Sequence, residues 1–307
     1  MTATDSRDTP SPLARALAEQ AAAQLDDLRR ARGLDGSTFS ALAARAREIR
    51  DRLDAWDVGP ATTESIAQHG SVLRAVAALL DNPRADAIPP SNDAIYNAVL
   101  DITELNPIVE TLGGTRAGRD AIRAHLDADD PRTARAGRLA LSFASVCHRG
   151  GLRVTPPSVA GGPVGIDLDR WRLLASAAVP LHESEIGDAA CEAERTLRNA
   201  KRAGLLLLEA GAAMDYPPLT VADDATALGV MHERLDAFML RARAIVLDRV
   251  GSDQAFGLVV HATLPARNAA SGRMLFAECL RAVNLCESDD PRVDGFRTIL
   301  GAMERAG

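Results

Sequence analysis

The sequence predicts an all-α protein, an antiparallel helical bundle or irregular helical stack, and three observations carry that expectation. Apolar residues recur at steps of three and four over most of the chain, the spacing that lines one face of a helix. Helix starts are marked by Ser or Asp just before Pro, as at Ser11-Pro12 and Asp130-Pro131. There a capping oxygen and a missing amide N–H both suit the first turn. Gly and Pro gather between the periodic segments, above all at 149–167, where they punctuate the chain.

Residues 1–11 are rich in Thr, Asp, Ser and Pro without an apolar run, which predicts a disordered tail and no export signal. A first helix follows on Leu13, Leu17, Ala21, Leu25 and Leu28 and stops at Gly33. The second starts near Ser37 and carries Phe39, Leu42, Ala46, Ile49, Leu53 and Trp56. Those steps of three and four make a two-per-heptad seam, flanked by Arg45, Arg47, Glu48, Arg50, Asp51 and Arg52. Together the two predict a helical hairpin.

Thr62 or Thr63 begins a third helix with Ile66, Leu73 and Val76 inward, and Pro89-Pro90-Ser91 precedes a fourth with Ile95, Val99, Ile102 and Leu105. Asn106-Pro107 interrupts the fourth, and Gly113-Gly114 ends it. Helices at 116–127 and 131–148 complete an N-terminal helical domain, 12–148. Residues 149–167 are a Gly/Pro-rich linker or small hairpin, with Leu152, Val154, Val164 and Ile166 available for two short strands. A stretch that long without a helix marks the expected boundary. The C-terminal helical domain, 168–307, takes helices at 168–179, 184–213, 223–250, 253–263, 268–286 and 291–305. A length of 307 residues suits two units of about 150 each.

Two stretches are similar to known motifs. Asp27 to Ala46 resembles the opening of a repressor-type helix-turn-helix, but the chain runs on to Trp56 with no second, recognition helix. The segments starting at Asp81, Asp129 and Asp289 each run Asp-x-Pro-Arg, which resembles the turn of HEAT-type repeats. Their intervals of 48 and 160 residues are irregular, so generic helix starts account for them.

Chemical signatures are sparse. His232 and Asp236 lie four apart on an expected helix, but no His-Glu-x-x-His accompanies them, and no metal site is assigned. Cys147-His148 ends a helix, the end that raises a thiol pKa, which argues against a nucleophile. Arg119, Asp120 and His125 satisfy a short arginine–histidine pattern of an all-α ribonuclease superfamily, too short to be specific. Phosphate-loop and Gly-x-Ser-x-Gly motifs are missing. No catalytic residue is singled out and no cofactor is expected. Of the six histidines, the place of His148, His232 or His261 in a pocket would favour an enzyme. Cys147, Cys191, Cys279 and Cys286 read as reduced thiols, the last two about 10 Å apart along one helix.

The net charge of -7 and pI near 5.4 argue against nucleic acid or an anionic membrane as partner. Aromatics at 3% disfavour base- and sugar-stacking sites. Lys201 is the sole lysine in an arginine-rich set of 35 basic residues. Either GC-rich coding or avoidance of lysine-directed tagging produces that bias. Without a signal or a membrane-length apolar run, the expected compartment is the cytoplasm, with export by a signal-independent route as the alternative. The expected function is a helical protein-interaction module, an adaptor, regulator or secretion-associated effector. It binds a protein partner or a second copy through helical surfaces, with Phe39, Ile49, Leu53 and Trp56 as the interaction residues. The alternative is an enzyme whose site is assembled from dispersed residues.

Overall fold

The computed structural model describes residues 36–82, 89–168, 171–211, 213–214, 219–221, 224–251, 253–269, 274–287 and 289–306. The expected tail and first helix lie outside them. Among the described residues five helices come first: α1 (Gly36–Ala55), α2 (Pro60–Asp81), α3 (Asn92–Leu112), α4 (Arg116–Leu126) and α5 (Pro131–Arg149). Strands β1 (Arg153–Thr155), β2 (Val164–Leu168) and β3 (Trp171–Ala178) follow, then α6 (Ile186–Asn199), β4 (Gly204–Glu209) and β5 (Leu219–Val221). Helix α7 (Asp224–Arg249), the strands β6 (Ala255–Asn268) and β7 (Met274–Asn284), and α8 (Arg292–Ala306) complete the order.

The strands correct the all-α expectation: this is an α/β fold around a mixed sheet, not a helical bundle or stack. Strands β1, β2 and β3 form an antiparallel meander, with Val154 opposite Ile166. β3, β4 and β6 then run parallel, and β7 returns antiparallel along β6. β5 pairs with β6 beyond the end of β4. Segments 168–179, 253–263 and 268–286, expected as helices, are largely strand, and the expected helix 184–213 divides into α6 and β4.

The physical reason is burial on both faces. Leu205 and Leu207 enter the core shared with α1 to α5 and α8, whereas Leu206 and Leu208 enter the core under α6 and α7. A strand covered on both sides is apolar throughout, so it lacks the alternation that announces a strand. Each of those leucines is fully buried, which stabilises the fold by roughly 2 kcal/mol apiece. Gly204 opens β4 because a Cβ there would sit 2.1 Å from the Leu174 carbonyl oxygen.

Local chemistry fixes the helix starts. Ser91 caps α3 by accepting from the Ala94 N–H at 3.2 Å, and Asp130 caps α5 by accepting from the Thr133 N–H at 2.8 Å. Helix α2 begins at Pro60 after Gly59 rather than at Thr62 or Thr63, and both Asp127 carboxylate oxygens accept the Gly59 N–H. Helix α3 runs through Pro107 without interruption. Its side lies parallel to α5, tied by Arg138 to Asp101 at 2.6 Å and by the Ser145 hydroxyl donating to the Pro107 carbonyl at 3.1 Å. One core joins Phe39 of α1 to Ile299 of α8, so residues on both sides of 149–167 share it.

Candidate functional site

The parallel strands β3 and β4 end side by side while β6 runs on past them to Asn268, and two features lie at the ends of β3 and β4. The first is a cleft of about 470 Å³ at the end of β3. Its floor is Ala177, Ala178 and Val179, and its walls are the first turns of α5 and one face of α6. Small side chains (Ala136, Ala189 and Ala193) leave the space, and Asp130, Arg132, Thr133, Glu185, Asp188 and Glu192 make the rim polar. Arg132 reaches across to Glu185 at 2.5 Å, and Glu185 also accepts from the Leu181 N–H at 3.2 Å. Asp188 is held by Arg249 at 2.6 Å.

The Gly161 turn also lines the cleft and is anchored from behind. Its N–H donates to Nδ1 of His125 at 3.3 Å. The imidazole is wholly buried, and burial pushes its pKa down to about 4. With Nδ1 accepting, the proton belongs on Nε2, which has no hydrogen-bond partner among the described residues.

The second feature is a group of four side chains from four elements. Glu209 ends β4 on the face of Leu205 and Leu207, its side chain 12% exposed. In the parallel register it lies opposite His261 of β6. Strand alternation places His261 with Val259, on that same face, while Leu258, Val260 and Ala262 face α6 and α7. Arg135 of α5 contacts Glu209 at 3.4 Å, and the Gly211 N–H donates to the other carboxylate oxygen at 3.1 Å. Tyr96 of α3 faces both. Burial, then the Glu209 carboxylate, raises the phenol pKa against the opposing pull of Arg135. The parallel packing of α3 and α5 brings Tyr96 and Arg135 together, each in the second turn of its helix.

The residues named from sequence fall elsewhere. Phe39, Ile49 and Leu53 are buried to 1% exposure or less, packed by α2 and α3, and Trp56 is half-buried against Gly113. Asp236 pairs with Arg281 at 3.2 Å, on the face opposite His261. Among the described residues no group of three His, Cys, Asp or Glu is arranged to hold a metal ion. Cys147 is buried, which pushes its thiol up to about 12. His148 is exposed beside it. Of the three histidines singled out, His261 alone lies level with the end of β4, in the middle of β6.

Sequence reasoning missed Tyr96, Arg135 and Glu209. The available signal was Glu209 itself, a lone acid directly after Gly204-Leu205-Leu206-Leu207-Leu208. A buried strand followed by a carboxylate is the pattern of a parallel-strand end. No helix among the described residues is long and apolar enough to cross a membrane. No protein-family model, no curated protein and no solved structure matches this chain.

Proposed function

We propose that this chain is an α/β protein that binds a small molecule in the cleft at the carboxyl end of β3. The observation that carries the reading is the cleft's position. In open α/β sheets ligands sit outside the carboxyl ends of parallel strands, where loops vary while the strands stay fixed. Two further points support it. The volume of about 470 Å³ falls within the range of small-molecule sites, roughly 300–1,000 Å³. The lining pairs a small apolar floor with a polar rim, which suits orientation of a polar ligand. The interaction-module reading has less behind it, because α2 and α3 already cover the heptad seam that suggested it.

Protein-observed NMR with a library of polar fragments tests the reading. Expected are amide shifts clustered on 130–136, 177–179 and 185–196. They should vanish in Ala189→Trp, whose indole fills the space beside a half-exposed alanine. Shifts that cluster elsewhere, or that survive Ala189→Trp, remove the cleft as the ligand site.

A further inference from the structure

Four carboxylates line the cleft, those of Asp130, Glu185, Asp188 and Glu192, against one guanidinium, that of Arg132. Glu185, Asp188 and Glu192 follow at steps of three and four, and a helix stacks such positions along one flank. Three of the four acids are already engaged. Glu185 holds Arg132, Asp188 holds Arg249, and Asp130 accepts both the N–H and the hydroxyl of Thr133. Glu192 is exposed to the cleft and has no hydrogen bond or ion pair among the described residues.

A second observation concerns the loops beside the cleft. Among the described residues three large apolar side chains are exposed, and two of them, Val159 and Leu181, stand on those loops. Val159 opens the turn that contains Gly161, its carbonyl accepting from the Gly162 N–H at 2.9 Å. Leu181 gives its N–H to Glu185 on the rim. Resting on the ligand reading above, we infer that the cleft takes a small organic cation with an apolar chain, an alkylammonium or an alkylguanidinium.

Each half of that ligand has its counterpart in the lining. The charged head pairs with Glu192, the one carboxylate there that the protein itself leaves free. A cleft lined mainly by one sign of charge concentrates counter-ions, and here that sign is negative. The alkyl chain lies on the floor of Ala177, Ala178 and Val179. An anion has no equivalent seat. The first turn of α5 is the kind of place where anions bind, but Asp130 already occupies the Thr133 N–H with a carboxylate. Arg132, the cation in the lining, is taken by Glu185.

Butylamine, butanol and butyrate are matched in size and differ in charge at neutral pH, so their titration by protein-observed NMR tests the inference. Expected are saturable shifts at 130–136, 177–179 and 185–196 with butylamine, weaker ones with butanol and none with butyrate. Methylamine should bind less well than butylamine. Salt raised to about 0.5 M should weaken the amine and leave butanol unchanged. Glu192→Gln should weaken the amine about two- to fivefold, and Glu192→Arg more strongly. Both variants should melt as the wild type does, because the side chain they replace has no partner among the described residues. Tighter binding of butylguanidinium than of butylamine assigns a guanidinium ligand, and the reverse order assigns an ammonium. If butanol or butyrate occupies the cleft as tightly as butylamine, or Glu192→Gln leaves the amine's affinity intact, the cation assignment is refuted and the cleft reading stands. If no probe of any charge shifts the cleft amides, both readings fall.

Discussion

Gly137 of α5 lies flat against the imidazole of His125 in α4: a Cβ at position 137 would fall 2.3 Å from Nδ1. The glycine leaves room for a ring that in turn holds the Gly161 turn at the cleft. Gly137→Ala should therefore destabilise the fold by roughly 1–3 kcal/mol through overpacking. Chemical denaturation should show it, with amide shifts spreading to 159–162.

His125 also gives the fold an acid sensitivity. Its folded pKa of about 4 lies below the unfolded value near 6.5. The unfolded chain therefore binds the proton more readily, and stability is lost as pH falls from about 6.5 to about 4. The shift corresponds to about 3 kcal/mol. In His125→Gln the slope of stability against pH over that window should flatten.

The polar network between α2, α3 and α5 predicts a different pH response. Asp101 accepts from His69 at 2.9 Å and from Arg138 at 2.6 Å, and Arg138 also meets Glu104 at 3.4 Å. The His69 hydrogen bond and the Arg138 charge outweigh burial and hold the Asp101 carboxylate below its usual pKa. Its contribution is present above the unfolded value and is lost as acid protonates it. Asp101→Ala leaves Arg138 with one carboxylate in a largely buried place and should cost about 2–4 kcal/mol. The double variant Asp101→Ala/Arg138→Met should recover part of that loss in thermal melts.

Lys201 is exposed and sits in the left-handed region, φ 51°, where α6 turns into β4. The Arg202 N–H there bonds back to the Leu197 carbonyl at 3.2 Å, so the position is a helix C-cap. Lys201→Gly relieves the Cβ strain and should stabilise by about 0.5–1 kcal/mol. A lower melting temperature would mean that the lysine side chain contributes more than its backbone costs.

Thiol accessibility offers a separate check on packing. Cys147 is wholly buried and its thiol is pushed up to about 12, whereas Cys191 is half-exposed, its Sγ 3.8 Å from the Arg249 carbonyl. A thiol reagent at neutral pH should label Cys191 quickly and reach Cys147 only on unfolding. Labelling of Cys147 in the native state would show that α5 opens from the sheet.

Helices with solvent on one side were legible in the sequence. The expected 223–250 and 291–305 appear as Asp224–Arg249 and Arg292–Ala306, and the Asp130-Pro131 start holds. Of the strands, the pair offered at Val154, Val164 and Ile166 appears as β1 and β2, but the rest were hidden, because β4 is flanked by core on both faces and β3 is rich in alanine. Cys279 and Cys286, expected on one helix, belong to β7 and the turn after it. The residues around Glu209 were illegible for a related reason. Tyr96, Arg135, Glu209 and His261 lie 39, 74 and 52 residues apart, and only the parallel register of β4 with β6 makes neighbours of two of them.

That register also dictates an order of assembly. β6 is the strand on which β4, β5 and β7 all pair, and it lies about fifty residues beyond β4 in the chain. During synthesis β4 can join β3 early, yet its other edge, lined by Leu205 to Leu208, waits for β6. A nascent chain ending near residue 250 would therefore present four leucines on an unpaired edge, the template on which strands of other chains add. Ribosome-bound intermediates of that length are where this protein should depend most on a chaperone.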